Sequence, residues 1–273
     1  MNAPDPTTDE PTTVHDAHGA PAPLHQPDIA DVEHPRDHDH LIDDDFGCAS
    51  PEETLEATRS GAACAWWQLT GFISVQGPDT ITFLDAIASQ DIAAIPGGSG
   101  RHALFLTPKA RIIAPVLVWR VAEDHVLLEL DPRVIDVLQS HLRRYKLRAK
   151  VEILPLELGC TSLVGHGAEA LAVRLANELG AMPPAHTEAI VAATARASSD
   201  DDDAVSDNAS TNDPFEHGGW YSSPAWGLPA RTFIGSLAAT HAVVSLVETR
   251  ELTPMADPET LDALRITAGV PAL

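Results

Sequence analysis

The chain has 273 residues, 44% of them hydrophobic, and a formal net charge of −23. That length can bury a sizeable core, in one large domain or two smaller ones. No apolar run reaches the ~20 residues a membrane span needs, and the polar N-terminus lacks the basic-then-apolar order of a signal peptide. Cys48, Cys64 and Cys160 show no CxxC spacing, which argues against a disulfide framework or a cysteine zinc site. These features predict a cytoplasmic protein with no membrane partner.

The charge is uneven. Residues 1–45 hold 12 Asp/Glu against the single Arg36, a balance of −11, and residues 197–217 hold 7 Asp/Glu and no Lys or Arg. By contrast, residues 101–150 carry 10 of the 17 Lys/Arg against 5 Asp/Glu. That local surplus would attract an anion such as a polyglutamylated folate, a phosphate or RNA. It fits equally a solvated helix face with a few strand-edge cations.

In chain order, residues 1–45 have few large apolar groups and read as a disordered acidic, His-rich tail. The spacing of His34, His38 and His40 fits no closed tetrahedral metal site. Residues 46–155 read as a first α+β unit. Pro51 and the acids after it open a helix over PEETLEATRS. A strand GFISVQ follows, then a turn at Gly77–Pro78 and a helix in which Asp79 is the expected N-cap and Ile81, Leu84, Ile87 and Ala88 recur at helical spacing. HALFLT and RIIAPVLVWRV are strand-like, and the latter is predicted to form a hairpin with HVLLELD through Ala122–Glu123–Asp124. A helix is expected from Pro132 to Lys146, and AKVEILP closes the unit as a strand.

Residues 156–273 read as a second α+β unit. CTSLVGHGAEALAVRLANELG repeats the strand, V-x-G, turn and helix of residues 71–89, a structural echo over 158–179. An Asp- and Ser-rich insertion at about 196–215 interrupts it and is predicted to be a disordered loop. RTFIGSL is a predicted strand and HAVVSLVETREL a helix. A last helix starts with Asp257 as cap and Pro258 at its first position, ending near Gly269.

No nucleotide fingerprint, GxSxG or HExxH motif is present, and GGSG at 97–100 is a plain loop. The order of the elements is more telling. V-x-G-x-D before a helix with F-L, then S-Q-D-I, a Gly-rich turn, L-T-P-K-A-R-I, HLRRYKLRAKVEI and LRITAGVPAL together resemble the folate-binding family of the glycine-cleavage T-protein (aminomethyltransferase) and its non-enzymatic YgfZ-type relatives, over roughly residues 46–273. The resemblance implies an α+β fold of two related units, ferredoxin-like antiparallel sheets with helices, around a central cavity. The chain stops at Leu273, before the segment bearing the family's Cys motif and before its C-terminal β-barrel.

The resemblance also implies a ligand, tetrahydrofolate or a similar small anion, and a candidate set of ligand-binding residues: Arg265, Asp91, Lys109, Arg111 and His102. Arg265 matches the Arg of the family's LR-x-E-A-G helix, with Thr267 replacing the Glu. It also fits an Arg snorkelling at a helix edge. Asp91 matches the x-Q-D-I position, and a local cap after Ser89–Gln90 would explain it as well. Lys109 and Arg111 match the K-G-R of the YgfZ pattern, with Ala110 in place of a glycine that would accept positive φ.

Two carboxylates of the T-protein have no counterpart. Where its segment carries the Asp that assists methylene transfer, this chain has Ala114–Pro115, which can neither accept a proton nor polarise a ring nitrogen. Near residues 226–236, where the family's pterin-gripping Glu is expected, it reads WGLPARTFIGS. The resemblance therefore implies a non-catalytic, YgfZ-like folate-binding protein associated with iron–sulfur cluster assembly or repair, with assembly or client proteins as partners and no nucleic acid. The alternative is a divergent folate-dependent aminomethyltransferase or other one-carbon transferase.

Overall fold

The computed structural model describes residues 48–67, 70–180 and 215–270. The predicted tail over 1–45 and nearly all of the insertion at 196–215 lie outside the described residues.

The first sheet is built from β2 (Gly71–Gln76), β3 (Gly100–Leu106), β4 (Ile112–Arg120), β5 (His125–Leu130) and β6 (Glu152–Leu156). Its strand order is β3-β4-β5-β2-β6, antiparallel throughout. Helix α2 (Thr80–Asp85) follows β2, and a 3-10 turn at Pro132–Val134 runs into α3 (Ile135–Lys146) before β6. Setting aside the edge strand β3, this is a strand–helix–strand–strand–helix–strand unit with its fourth strand beside its first. The expected α+β class and antiparallel hairpin are both present.

The second sheet has the order β1-β7-β9-β8, formed by β1 (Ala63–Trp67), β7 (Gly159–Val164), β8 (Gly219–Ser222) and β9 (Ala230–Gly235). It too is antiparallel. Helix α4 (Ala168–Leu179) follows β7 and α5 (Leu237–Thr249) follows β9. The plan is that of the first unit, with one exchange: the fourth place, beside the first strand, is taken by β1 from the start of the described chain. Ala63 lies opposite Val164 and Trp67 opposite Cys160. Residues 63–67, expected with the first unit, are therefore in the sheet of the second. Neither β1 nor the short β8 is marked by periodicity, because both are too short for alternation to name a partner edge. Helix α1 (Pro51–Ser60) and the final α6 (Pro258–Thr267) flank this sheet, each with Pro at its start and a capping side chain, Ser50 and Asp257.

Strand alternation gives each sheet two faces. In the first, Ile73, Val75, Phe105, Val116, Val118, Val126 and Leu128 pack under Leu84 of α2 and Leu138 and Leu142 of α3. Phe72, Leu117, Trp119 and Leu127 point the other way and meet Cys160, Tyr221 and Ile234 of the second sheet. The far face of that sheet, with Cys64, Leu163, Trp220 and Phe233, is covered by Leu175 of α4 and Val243 and Val247 of α5. The layers run helices, sheet, sheet, helices. A backbone bond from Ser222 N–H to the Gly98 carbonyl, 2.8 Å, also ties β8 to the loop before β3.

The sequence echo has a conformational basis. Gly77 after β2 and Gly165 after β7 have φ of 134° and 133°. Each accepts the N–H that opens the following helix, from Thr80 at 3.0 Å and from Ala168 at 3.1 Å. A Cβ at Gly77 would press on the Lys150 carbonyl, and one at Gly165 would lie 2.6 Å from the carbonyls of Thr58 and Gly61. Asp79 corrects a local expectation. Its side chain does not cap α2, and accepts instead from the N–H of Lys150 at 2.7 Å. The Lys150 N–H, where the chain enters β6, competes for this carboxylate with the N–H groups of the helix start.

At the β3–β4 hairpin, Ala110 keeps the turn its glycine would make, with φ 58°. Its N–H donates to Thr107 O at 2.9 Å, and Thr107 N–H to Arg111 O at 2.8 Å. Left-handed backbone costs a non-glycine residue about 1–2 kcal/mol, offset in part by the smaller unfolded-state entropy of Ala, about 0.4–1 kcal/mol. Urea denaturation of Ala110→Gly should therefore show a gain of about 0.5–1 kcal/mol. Gly77→Ala and Gly165→Ala should each lose about 2–4 kcal/mol, since backbone strain and a clash with fixed carbonyls add. Unchanged midpoints in the two glycine variants would contradict the turn assignment.

Candidate functional site

The inward face of the first sheet is where polar side chains meet an apolar surface. Strand register puts His102, Leu117, Glu129, Phe72 and Leu156 in one row across all five strands. The neighbouring row holds Gly100, Trp119, Leu127, Ser74 and Leu154. Glu129 Oε2 accepts from Trp119 Nε1 at 2.6 Å, and Ser74 Oγ lies 2.9 Å from His125 Nε2. His125 meets the ring of Phe215 edge-on at 5.6 Å.

Glu129 is a residue the sequence reading passed over, as one letter in the strand HVLLEL. A lone carboxylate inside an otherwise apolar run was the available signal, since both faces of that strand are covered. Burial pushes its carboxyl up to about 7, and the Trp119 hydrogen bond works against that rise. Burial, then the charge of Glu129, holds the Cys160 thiol well above its ordinary value. Cys160 is thus an unreactive core thiol.

The five predicted ligand residues fall into three places. His102 sits on β3, half-buried, with Nε2 buried and without a hydrogen-bond partner among the described residues. Burial first, and the charge of Arg265 second, keep its imidazole below the usual range and so neutral at pH 7. Arg265, in the last turn of α6, donates through Nε and Nη2 to Asp262 Oδ1 at 2.9 and 2.5 Å, and through Nη1 to the Val270 carbonyl at 2.5 Å. Nη1 and Nη2 each retain a second N–H. His102 and Arg265, far apart in sequence, are therefore within electrostatic reach of one another.

Lys109 and Arg111 are elsewhere, exposed at the tip of the β3–β4 hairpin. Asp91 is exposed in the loop between α2 and β3, where its Oδ1 accepts from Ala94 N–H at 2.9 Å, a local turn. The position that carries the transfer carboxylate in the T-protein pattern is equally clear. Ala114 is fully buried on the helix side of the sheet. Pro115 takes the inward face, opposite Leu104, and has no group that can donate or accept a proton. The loop containing Trp226 and Gly227 packs on the end of α6, where a Cβ at Gly227 would meet Ala268. No described helix is long and apolar enough to cross a membrane.

The linkage at Glu129 has a definite sign. Its folded value lies above the ordinary carboxyl value of 4.5, so the folded state holds the proton more tightly than the unfolded one. The stability this supplies is complete below about 4.5, falls as pH rises towards about 7, and is gone above it. The whole span corresponds to about 3 kcal/mol. Glu129→Gln keeps an acceptor for Trp119 without the charge. Denaturation from pH 5 to 8 should show wild type losing stability relative to this variant; parallel curves would mean the carboxylate is solvated.

Residues 29–197, more than half of the chain, match the family model described as GCVT N-terminal domain. Over 105 residues the chain is 32% identical to the iron-sulfur cluster assembly factor IBA57 homolog, mitochondrial, of Chaetomium globosum, covering 32% of this chain and 24% of that protein. Over 110 residues it is 31% identical to the iron-sulfur cluster assembly factor IBA57, mitochondrial, of Mus musculus, covering 35% of this chain and 31% of that protein. The matched stretches thus span less than a third of the length of these curated relatives. The crystal structure of glycine cleavage system aminomethyltransferase T from Bartonella henselae superposes with a TM-score of 0.59 at 17% identity, over 81% of this chain and 54% of that one. That likeness speaks to fold. With the family model matched over most of the chain, the protein belongs to the GCVT N-terminal domain family.

Proposed function

We propose that the chain is a non-catalytic, YgfZ-like folate-binding protein serving iron–sulfur cluster assembly or repair, with assembly or client proteins as its partners. The observation that carries the non-catalytic part is the pair Ala114–Pro115. One faces the helix-side core and the other presents an imino acid to the inward face. Methylene transfer needs a group there that can accept or hold a proton. The iron–sulfur role draws on the two curated relatives, both named as assembly factors.

The residues fit a reduced folate. The unpartnered Nε2 of neutral His102 and the spare N–H groups of Arg265 suit the polar edge of a pterin or a nearby carboxylate. The central cavity of this proposal lies on the inward face beside the end of α6. Bound tetrahydrofolate would supply a carrier for one-carbon units. Lys109, Arg111 and Asp91 would take part through the glutamate tail or the loop edges. We propose the cytoplasm as the compartment, whereas the names of the two relatives carry the word mitochondrial.

A second reading, a folate-dependent one-carbon transferase, has one observation in its favour. Glu129 is a buried carboxyl on the inward face with a value of about 7, suited to holding a proton near neutral pH. Two measurements separate the readings. Calorimetric titration with tetrahydrofolate should give binding to wild type and roughly ten- to a hundredfold weaker binding to Arg265→Ala, the loss expected for charge-assisted hydrogen bonds. Equal affinity would remove Arg265 from the site. Ammonia release from an aminomethyl-carrier substrate should stay at background, and turnover abolished by Glu129→Gln would establish the transferase instead.

A further inference from the structure

The last turn of α3 and the connection to β6 form a surface that the folate reading does not use. Arg143, Arg144, Leu147, Arg148 and Lys150 are exposed, and Lys146 is half-buried beside them. None of these five cations makes an ion pair with a described residue. Part of this charge has a local reason, since cations favour the C-terminal end of a helix dipole. That explanation does not extend to Arg148 and Lys150, which lie beyond the helix, or to Leu147.

Leu147 is 88% exposed, the largest exposure among the described large hydrophobic residues. Its backbone is at φ 42° and ψ −102°. The Ala149 N–H donates to the Lys146 carbonyl at 2.7 Å, so Leu147 is the second residue of a tight turn whose dihedrals ordinarily call for glycine. A leucine here is costly twice, in backbone strain and in apolar surface left in water. Nothing among the described residues compensates for it.

We infer that this cationic turn is a docking surface for an acidic protein partner, with Leu147 as the apolar knob that enters a pocket rimmed by carboxylates. Charge complementarity fixes the partner's sign. A single aliphatic anchor ringed by arginines matches the centre-and-rim anatomy of protein contacts. A single-stranded nucleic acid would call for exposed aromatic platforms, and the nearby Tyr145 instead packs at a tilt against His141, with ring centroids 4.7 Å apart. The strain holds Leu147 outward, so binding and stability should respond in opposite directions to its removal.

The test uses the full chain and a fluorescein-labelled acidic amphipathic peptide, rich in Asp and Glu with Leu at i, i+3 and i+4, followed by anisotropy. Leu147→Gly should raise Tm by about 2–5 °C while weakening peptide binding about tenfold or more. Arg143→Glu combined with Arg148→Glu, both at exposed positions, should leave Tm within about 2 °C and also weaken the peptide at least tenfold. Equal peptide affinity in wild type and both variants would overturn the proposal, as would no binding to wild type. Tighter binding of single-stranded RNA, or of phosphatidylcholine vesicles containing phosphatidylserine, would overturn it in favour of those surfaces. Self-association abolished by Leu147→Gly would show that a second copy is the occupant and overturn it likewise.

Discussion

Phe72, Leu117, Trp119 and Leu127 on one sheet press against Cys160, Tyr221 and Ile234 on the other, and this dry contact organises the described fold. Each large side chain removed from water there contributes about 1.5–3 kcal/mol. Neither sheet could stand with that face in solvent. The second sheet recruits β1 through other cover: Cys64 packs with Leu175, Val243 and Val247, and Ala63 and Ala65 pack with Trp226 and Leu261. The inter-sheet contact explains the two positive-φ glycines, because both strands must turn sharply into helices that cover the opposite side.

The same closure sets the chemistry. A carboxyl placed in the inter-sheet layer cannot hold its charge at low cost, so Glu129 holds its proton more tightly than a solvated carboxyl and accepts from Trp119. His102 lies at the rim of the same row, where the apolar layer gives way to the end of α6, and is left neutral with an unpartnered nitrogen. Polar capacity is thus graded across the sheet, locked in the middle and available at the edge. A ligand would meet donors and acceptors beside Arg265, while the position that would perform transfer chemistry is occupied by Pro115.

The cationic turn after α3 lies outside this logic. Its charges and Leu147 point away from the sheet, and burial places no demand on them. Ala110 at φ 58° and Leu147 at φ 42° carry avoidable strain at two of the fold's exposed turns. In one, the side chain is a methyl group and the cost is local. In the other it is a large apolar group held in solvent, which is why the two turns support different conclusions.

Much of the local structure was legible in the sequence, because it depends on neighbours. Pro51 and Pro258 at helix starts, the V-x-G turns, the hairpin at 122–124 and the apolar stripe of α3 all follow from short-range sterics and periodicity. The antiparallel two-unit plan followed from the order of those elements, and Ala114–Pro115 already marked the missing carboxylate. Tertiary structure alone decided which sheet would receive residues 63–67 and that Asp79 would bond to Lys150 instead of capping its helix. It also decided that Arg265 and His102 would lie within electrostatic reach, and that Glu129 would be buried against Trp119. Each of these depends on which distant groups share a low-dielectric layer. Local propensity carries no record of that, since the partners are set only when the two sheets close.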